Sequence, residues 1–267
     1  MSKEIHIIAA GDSFSYNTQS NIKDFGRLQD LLYSNNSNWY NFLEYHLLKN
    51  RYNPTFYYLA TPSFGNQLII DSVLEQLNIL LESNIDKNNI QIFVQFTYFA
   101  RNLASLPTNY IKTDEQRNDY FPIIENIENY DEVIVKNLNK IYNLAKHLES
   151  LDIKFKFFFQ ENLFTNDEYE VFEIKKLINK LKPYFLYNNE NTLSGMAENY
   201  IIKNSKNILS AYLSTYDFHF TSIVHYHWYI DKLLPLFEFN KIEIIDKMFL
   251  KDYRLRLESK FLNNDNK

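Results

Sequence analysis

A serine near one end of the chain and an aspartate–histidine pair near the other are the residues with the clearest chemistry. Gly11-Asp12-Ser13 follows directly on the apolar run Ile5-His6-Ile7-Ile8-Ala9-Ala10, and Asp217-Phe218-His219 precedes a helix-like stretch from Tyr229 to Leu234. A serine hydroxyl is inert at its own pKa, and becomes a nucleophile only when a base takes its proton and a third group orients that base. Ser13 is the candidate nucleophile, His219 the candidate base and Asp217 the carboxylate that orients the imidazole and stabilises its charged form. The chemistry is acyl transfer through a covalent serine ester. His225 stays open as a second candidate base. Ser15 and Ser63 are rival serines, but neither sits at the first tight turn. Glycine is scarce, 4 of 267 residues, against an average of about 7%. Gly11 and Gly65 therefore mark places where the backbone turns sharply or is approached closely.

These groups need a scaffold that brings separate segments to one rim. Short β-type runs alternate with longer helical patterns, as in a parallel sheet with crossover helices. Strands are expected at Ile5 to Ala10, Thr55 to Leu59, Ile90 to Phe96, Lys154 to Phe159 and Tyr184 to Tyr187. Helices are expected at Trp39 to Leu48, Gln67 to Ser83, Val133 to Leu148 and Tyr169 to Leu181. Ligands of such sheets sit outside the carboxyl ends of the strands, where Gly11 to Ser13, Ala60 to Asn66 and Phe96 to Arg101 should converge. Residues 102 to 132 lack a clean period and read as a surface excursion. Ile242, Ile245, Phe249, Tyr253 and Leu257 recur at helical spacing, so residues 241 to 262 should form a helix packed on the domain or on a partner. No linker divides the chain, so one domain is expected over 1–240, with a helical extension over 241–267.

Composition narrows the classes. A net charge of −5 without a basic stripe argues against a nucleic-acid binder. The absence of cysteine removes disulfides, thiol catalysis and Cys-ligated zinc. No leader pattern opens the chain and no apolar run approaches the roughly 18 residues of a spanning helix, so a soluble protein with no membrane partner is expected. His225 and His227, two apart, point to different faces of a helix and make a poor metal pair. His6 reads as a hydrogen-bonded core histidine. Trp39 and Trp228 read as core anchors, with Trp228 also a possible wall for a sugar.

In their order, these segments resemble the SGNH (GDSL-type) hydrolase family. Its members place the serine in a Gly-Asp-Ser block after the first strand, and acid and base in a loop before the last helix. Gly11-Asp12-Ser13-Phe14-Ser15 is similar to the first block, and Asp217-Phe218-His219 to a shortened last block, in which two residues more usually separate the pair. His225 falls where the family often has a Gly-His pair opening the final helix. Ala60-Thr61-Pro62-Ser63-Phe64-Gly65-Asn66 stands where the second block supplies a glycine N–H to the oxyanion. The third block, usually Gly-x-Asn-Asp, is replaced by Val94-Gln95-Phe96-Thr97-Tyr98-Phe99-Ala100-Arg101. Bacteriophage-type members show a similar Thr and Arg pattern there.

The resemblance, which runs from about residue 4 to about residue 236, implies a three-layer α/β/α, flavodoxin-like fold with a mostly parallel five-stranded sheet. It implies a serine ester hydrolase that removes acetyl or other acyl groups, from a carbohydrate by preference, through an acyl-enzyme on Ser13. The oxyanion would be held by the N–H groups of Ser13 and Gly65, aided by Asn66 or Thr97. No cofactor or metal is needed. Its substrate would be an acylated small molecule or polysaccharide, and residues 241–267 would serve a second copy or a virion partner, with the protein cytoplasmic or virion-associated. Two other readings stay open: an O-acyltransferase, and a non-catalytic virion, structural or carbohydrate-binding module that has kept the fold.

Overall fold

The computed structural model describes residues 2–11, 26–33, 37–60, 65–97, 130–159, 171–186, 192–204, 211 and 220–262. In chain order their regular elements are β1 (Lys3–Gly11), α1 (Asp30–Tyr33), α2 (Trp39–Lys49), β2 (Tyr52–Ala60), α3 (Asn66–Glu82), β3 (Ile90–Phe96), α4 (Tyr130–Ser150), β4 (Lys154–Phe159), α5 (Phe172–Leu181), α6 (Leu193–Asn204), α7 (Ser222–Trp228) and α8 (Lys247–Leu262). The chain divides into two compact units. A sheet unit comprises Glu4–Tyr16 and Thr55–Glu190, and a helical unit comprises Met1–Lys3, Asn17–Pro54 and Asn191–Lys267.

The sheet has the order β2-β1-β3-β4. β1 and β3 pair in parallel from His6↔Ile90 to Ala10↔Val94, and β3 and β4 from Gln91↔Lys154 to Phe96↔Phe159. β1 and β3 are buried along nearly their whole length, as the near-continuous apolar runs of inner parallel strands require. β2 contains Pro54, which cannot donate to a ladder, and it lies at the sheet's edge. Helix α3 buries Ile69, Ile70, Val73, Leu77 and Leu80, one stripe at helical spacing, and α4 buries Ile134, Leu138, Ile141, Ala145 and Leu148. Both stripes share a core with Ile8, Ile92, Val94 and Phe157 of the strands.

Four of the expected strands are present. The fifth is reduced, among the described residues, to one parallel bridge between Phe157 and Phe185, with Leu186 N donating to Phe157 O at 2.9 Å. Tyr184, expected to open that strand, belongs instead to a 3₁₀ turn over Lys182–Tyr184 that contains Pro183, and Tyr187 lies outside the described residues.

In the helical unit α2 and α7 carry an aromatic core. Trp39 and Trp228 are fully buried with ring centroids 6.1 Å apart, and Phe42 meets Tyr226 edge to face at 5.4 Å. Trp228 is thus a core anchor. The expected C-terminal helix starts at Lys247 instead of 241, because the Asp246 carboxylate accepts from Met248 N at 2.8 Å and caps it there. Before the cap the chain is held in irregular form: Lys241 N and O each bond the Asn50 amide at 2.8 Å, and Ile245 N donates to Tyr226 Oη at 2.8 Å. Among the described residues no helix is long and apolar enough to cross a membrane.

Candidate functional site

The strand order fixes where a site belongs. The chain passes from β1 to β2 on one side and then to β3 on the other, so the order reverses between β1 and β3, and in open α/β sheets ligands bind at the carboxyl ends of the strands beside that reversal. Gly11 closes β1 there and is buried. Thr97 follows β3 there, 1% exposed. Gly65 is buried and caps the amino end of α3 in an extended conformation, φ −85° and ψ 166°. The first turn of a 17-residue helix carries N–H groups without intrahelical acceptors and a partial positive charge.

One side chain ties these pieces together. Asn66 Oδ1 accepts from Thr97 N at 2.9 Å, and Asn66 Nδ2 donates to Thr97 O at 3.2 Å. The amide copies a strand's backbone and extends β3 by one bridge. The second Nδ2 hydrogen goes to Asn137 Oδ1 at 3.3 Å, and Asn137 Nδ2 donates to Val133 O at 2.9 Å. Asn66, Thr97 and Asn137 are each 1% exposed. Asn66, expected as an oxyanion donor, directs both its amide hydrogens at protein acceptors. Asn137 was not legible as a site residue. Its only signal is an amide on the apolar stripe of α4, between Ile134 and Ile141. One turn further, Lys140 Nζ donates to Gln67 Oε1, and Gln67 Nε2 to Asp71 Oδ1 at 2.6 Å. Burial, with Lys136 nearby, pushes the Lys140 amine below its usual range, and Asp71 opposes the shift.

Ser13, Asp217 and His219 lie outside the described residues, as do Ser15, Ser63 and Arg101. The remaining histidines are placed. His6 is hydrogen-bonded in the core as expected, Nδ1 to Tyr57 Oη at 3.0 Å and Nε2 to Glu4 Oε1 at 3.2 Å. His225, the second candidate base, is 2% exposed on α7 with its ring edge-on to Phe220 at 6.0 Å. His227 leans on Tyr200 at 5.2 Å, and burial pushes its imidazole down to about 4, with Asp231 opposing.

No protein-family model and no curated protein matches the sequence. Among solved structures, a chain from Parabacteroides merdae ATCC 43184 described as a GDSL-like lipase overlaps it across 97% of both chains, at 13% identity and a TM-score of 0.37. The chain's own sheet order and registers make it a mixed α/β protein with a parallel sheet reversing at β1 and β3.

Proposed function

We propose that this chain is a serine ester hydrolase of SGNH type, removing acetyl or other acyl groups from a carbohydrate. The supporting observation is that Gly11, which leads straight into Asp12-Ser13, closes an inner strand at the reversal point of a parallel sheet. In this reading Ser13 Oγ attacks the ester carbonyl as His219 takes its proton, with Asp217 orienting the ring. The N–H groups of Ser13 and Gly65 hold the oxyanion, while Asn66 and Thr97 fix the wall beside them. Collapse expels the alcohol, which receives the proton from His219. Water, deprotonated in turn by His219, then frees the acid and Ser13.

The test is covalent labelling. A fluorophosphonate should attach at Ser13, located by peptide mass spectrometry, and Ser13→Ala should lose both the label and hydrolysis of aryl acetates and acetylated sugars. Unchanged hydrolysis by Ser13→Ala overturns the assignment. A second reading, a non-catalytic module, is favoured by Thr97-Tyr98-Phe99-Ala100 standing where Gly-x-Asn-Asp would. It predicts no labelling at all.

A further inference from the structure

We infer that Asn137, on α4, is a positioning residue for the reaction, acting through Asn66 to hold Gly65 beside the end of β3; the inference rests on the serine-hydrolase reading. The argument is directional. Thr97 N–H must meet an oxygen, so Asn66 Oδ1 faces it at 2.9 Å and Nδ2 is left toward Thr97 O and Asn137. Turning the Asn66 amide over would set donor against donor. Asn137 cannot turn either, because its own Nδ2 is held on Val133 O at 2.9 Å. The chain Val133 O, Asn137, Asn66, Thr97 N therefore has one orientation. The links among Asn137, Asn66 and Thr97 are buried, where an unmet polar group is costly, and the link to Val133 is half-buried. Asn66 is the first residue of α3 and Gly65 precedes it, so whatever fixes the Asn66 side chain fixes the glycine whose N–H must lie near 3 Å from the oxyanion. A misplacement of about 1 Å costs about 100-fold in rate.

The experiment compares Asn137→Leu with Ile141→Ala, a cavity variant one turn along the same buried stripe that leaves every hydrogen-bonding side chain of the amide chain in place. Three kinds of measurement are made: steady-state kinetics (kcat and KM) on an aryl acetate, exchange of the Thr97 amide proton by NMR, and global stability. Asn137→Leu should lower kcat about 10-fold to 100-fold with KM within about threefold, and speed Thr97 exchange at least about tenfold. Ile141→Ala should lose stability and leave the other two in place. Asn137→Ser, too short to reach Asn66, replaces the leucine variant if that protein does not fold. Unchanged Thr97 exchange, unchanged kcat in an active protein, or an equal kcat loss in Ile141→Ala each overturns the inference. If the wild-type protein neither labels nor hydrolyses, the serine reading fails. Thr97 exchange that still responds then makes the chain of amides architectural only, which also ends the positioning role.

Discussion

His219 and His225 should respond to substitution in different ways. His225 is 2% exposed and packed on Phe220, so His225→Ala removes buried contacts and should lower the thermal midpoint while leaving kcat within a few-fold. His219→Ala should leave the midpoint nearly unchanged and reduce kcat at least about 1000-fold, as loss of a triad base does. Kinetics and calorimetry on the two proteins give the answer, and the reverse pattern makes His225 the base. At this scale the sequence offers candidates where chemistry depends on residue type, and three of them, Ser13, Asp217 and His219, lie outside the described residues. Serine, histidine and aspartate declare themselves by what they can do. Asn137 does not. Its partner Asn66 is 71 positions away, and an amide on an apolar stripe has no local meaning until the fold supplies the other half of its hydrogen bond.

The elements were legible wherever a local rule fixes them. β1, β3 and β4 are short bounded β-type runs, and α2, α3 and α4 carry apolar stripes at helical spacing, so observed limits depart from expected ones by three residues or fewer. Helix α6 was not among the expected helices, and Asn-rich flanks and Gly195 give its stretch a loop-like composition. Its start is set by one side chain, Thr192 Oγ1 accepting from Gly195 N at 3.0 Å. Termini also show what a glycine-poor chain must accept. Arg51, Asn84 and Asp152, which follow α2, α3 and α4, are non-glycine residues at φ of 62°, 58° and 57°, a region that disfavours side chains. After α4 the chain makes a Schellman-type end, Ile153 N donating to Leu148 O at 3.1 Å. Asp152→Gly should therefore stabilise the protein by about 1 kcal/mol. The exposed Lys87–Asp152 pair it sacrifices, at 3.8 Å, is worth less than that. Asp246→Ala should cost about 1 kcal/mol by uncapping α8. Urea denaturation measures both, and a destabilised Asp152→Gly protein would show that the aspartate has a role beyond the turn.

For the whole molecule the uneven placement of buried imidazoles sets how the protein meets acid. His46 and His227 both belong to the helical unit. Burial lowers the His46 pKa, opposed by contacts at 3.0 Å from its two ring nitrogens to Phe42 O and Glu243 O and by the Glu243 charge. His227 is pushed down to about 4. A folded-state pKa below the unfolded value of about 6.5 means that the unfolded chain binds the proton first as pH falls. The stability due to each group is complete above pH 6.5 and is lost on the way down to the folded value. For His227 the loss should reach about 3 kcal/mol at pH 4. Amide exchange read at pH 7 and again near pH 4.5, corrected for intrinsic rates, should show α2 and α7 losing more protection than α3 and α4. His227→Gln, which cannot titrate, should remove most of that difference while costing little at pH 7. If α3 and α4 open first, or the glutamine variant is as acid-sensitive as the wild type, carboxylates rather than these imidazoles govern the transition.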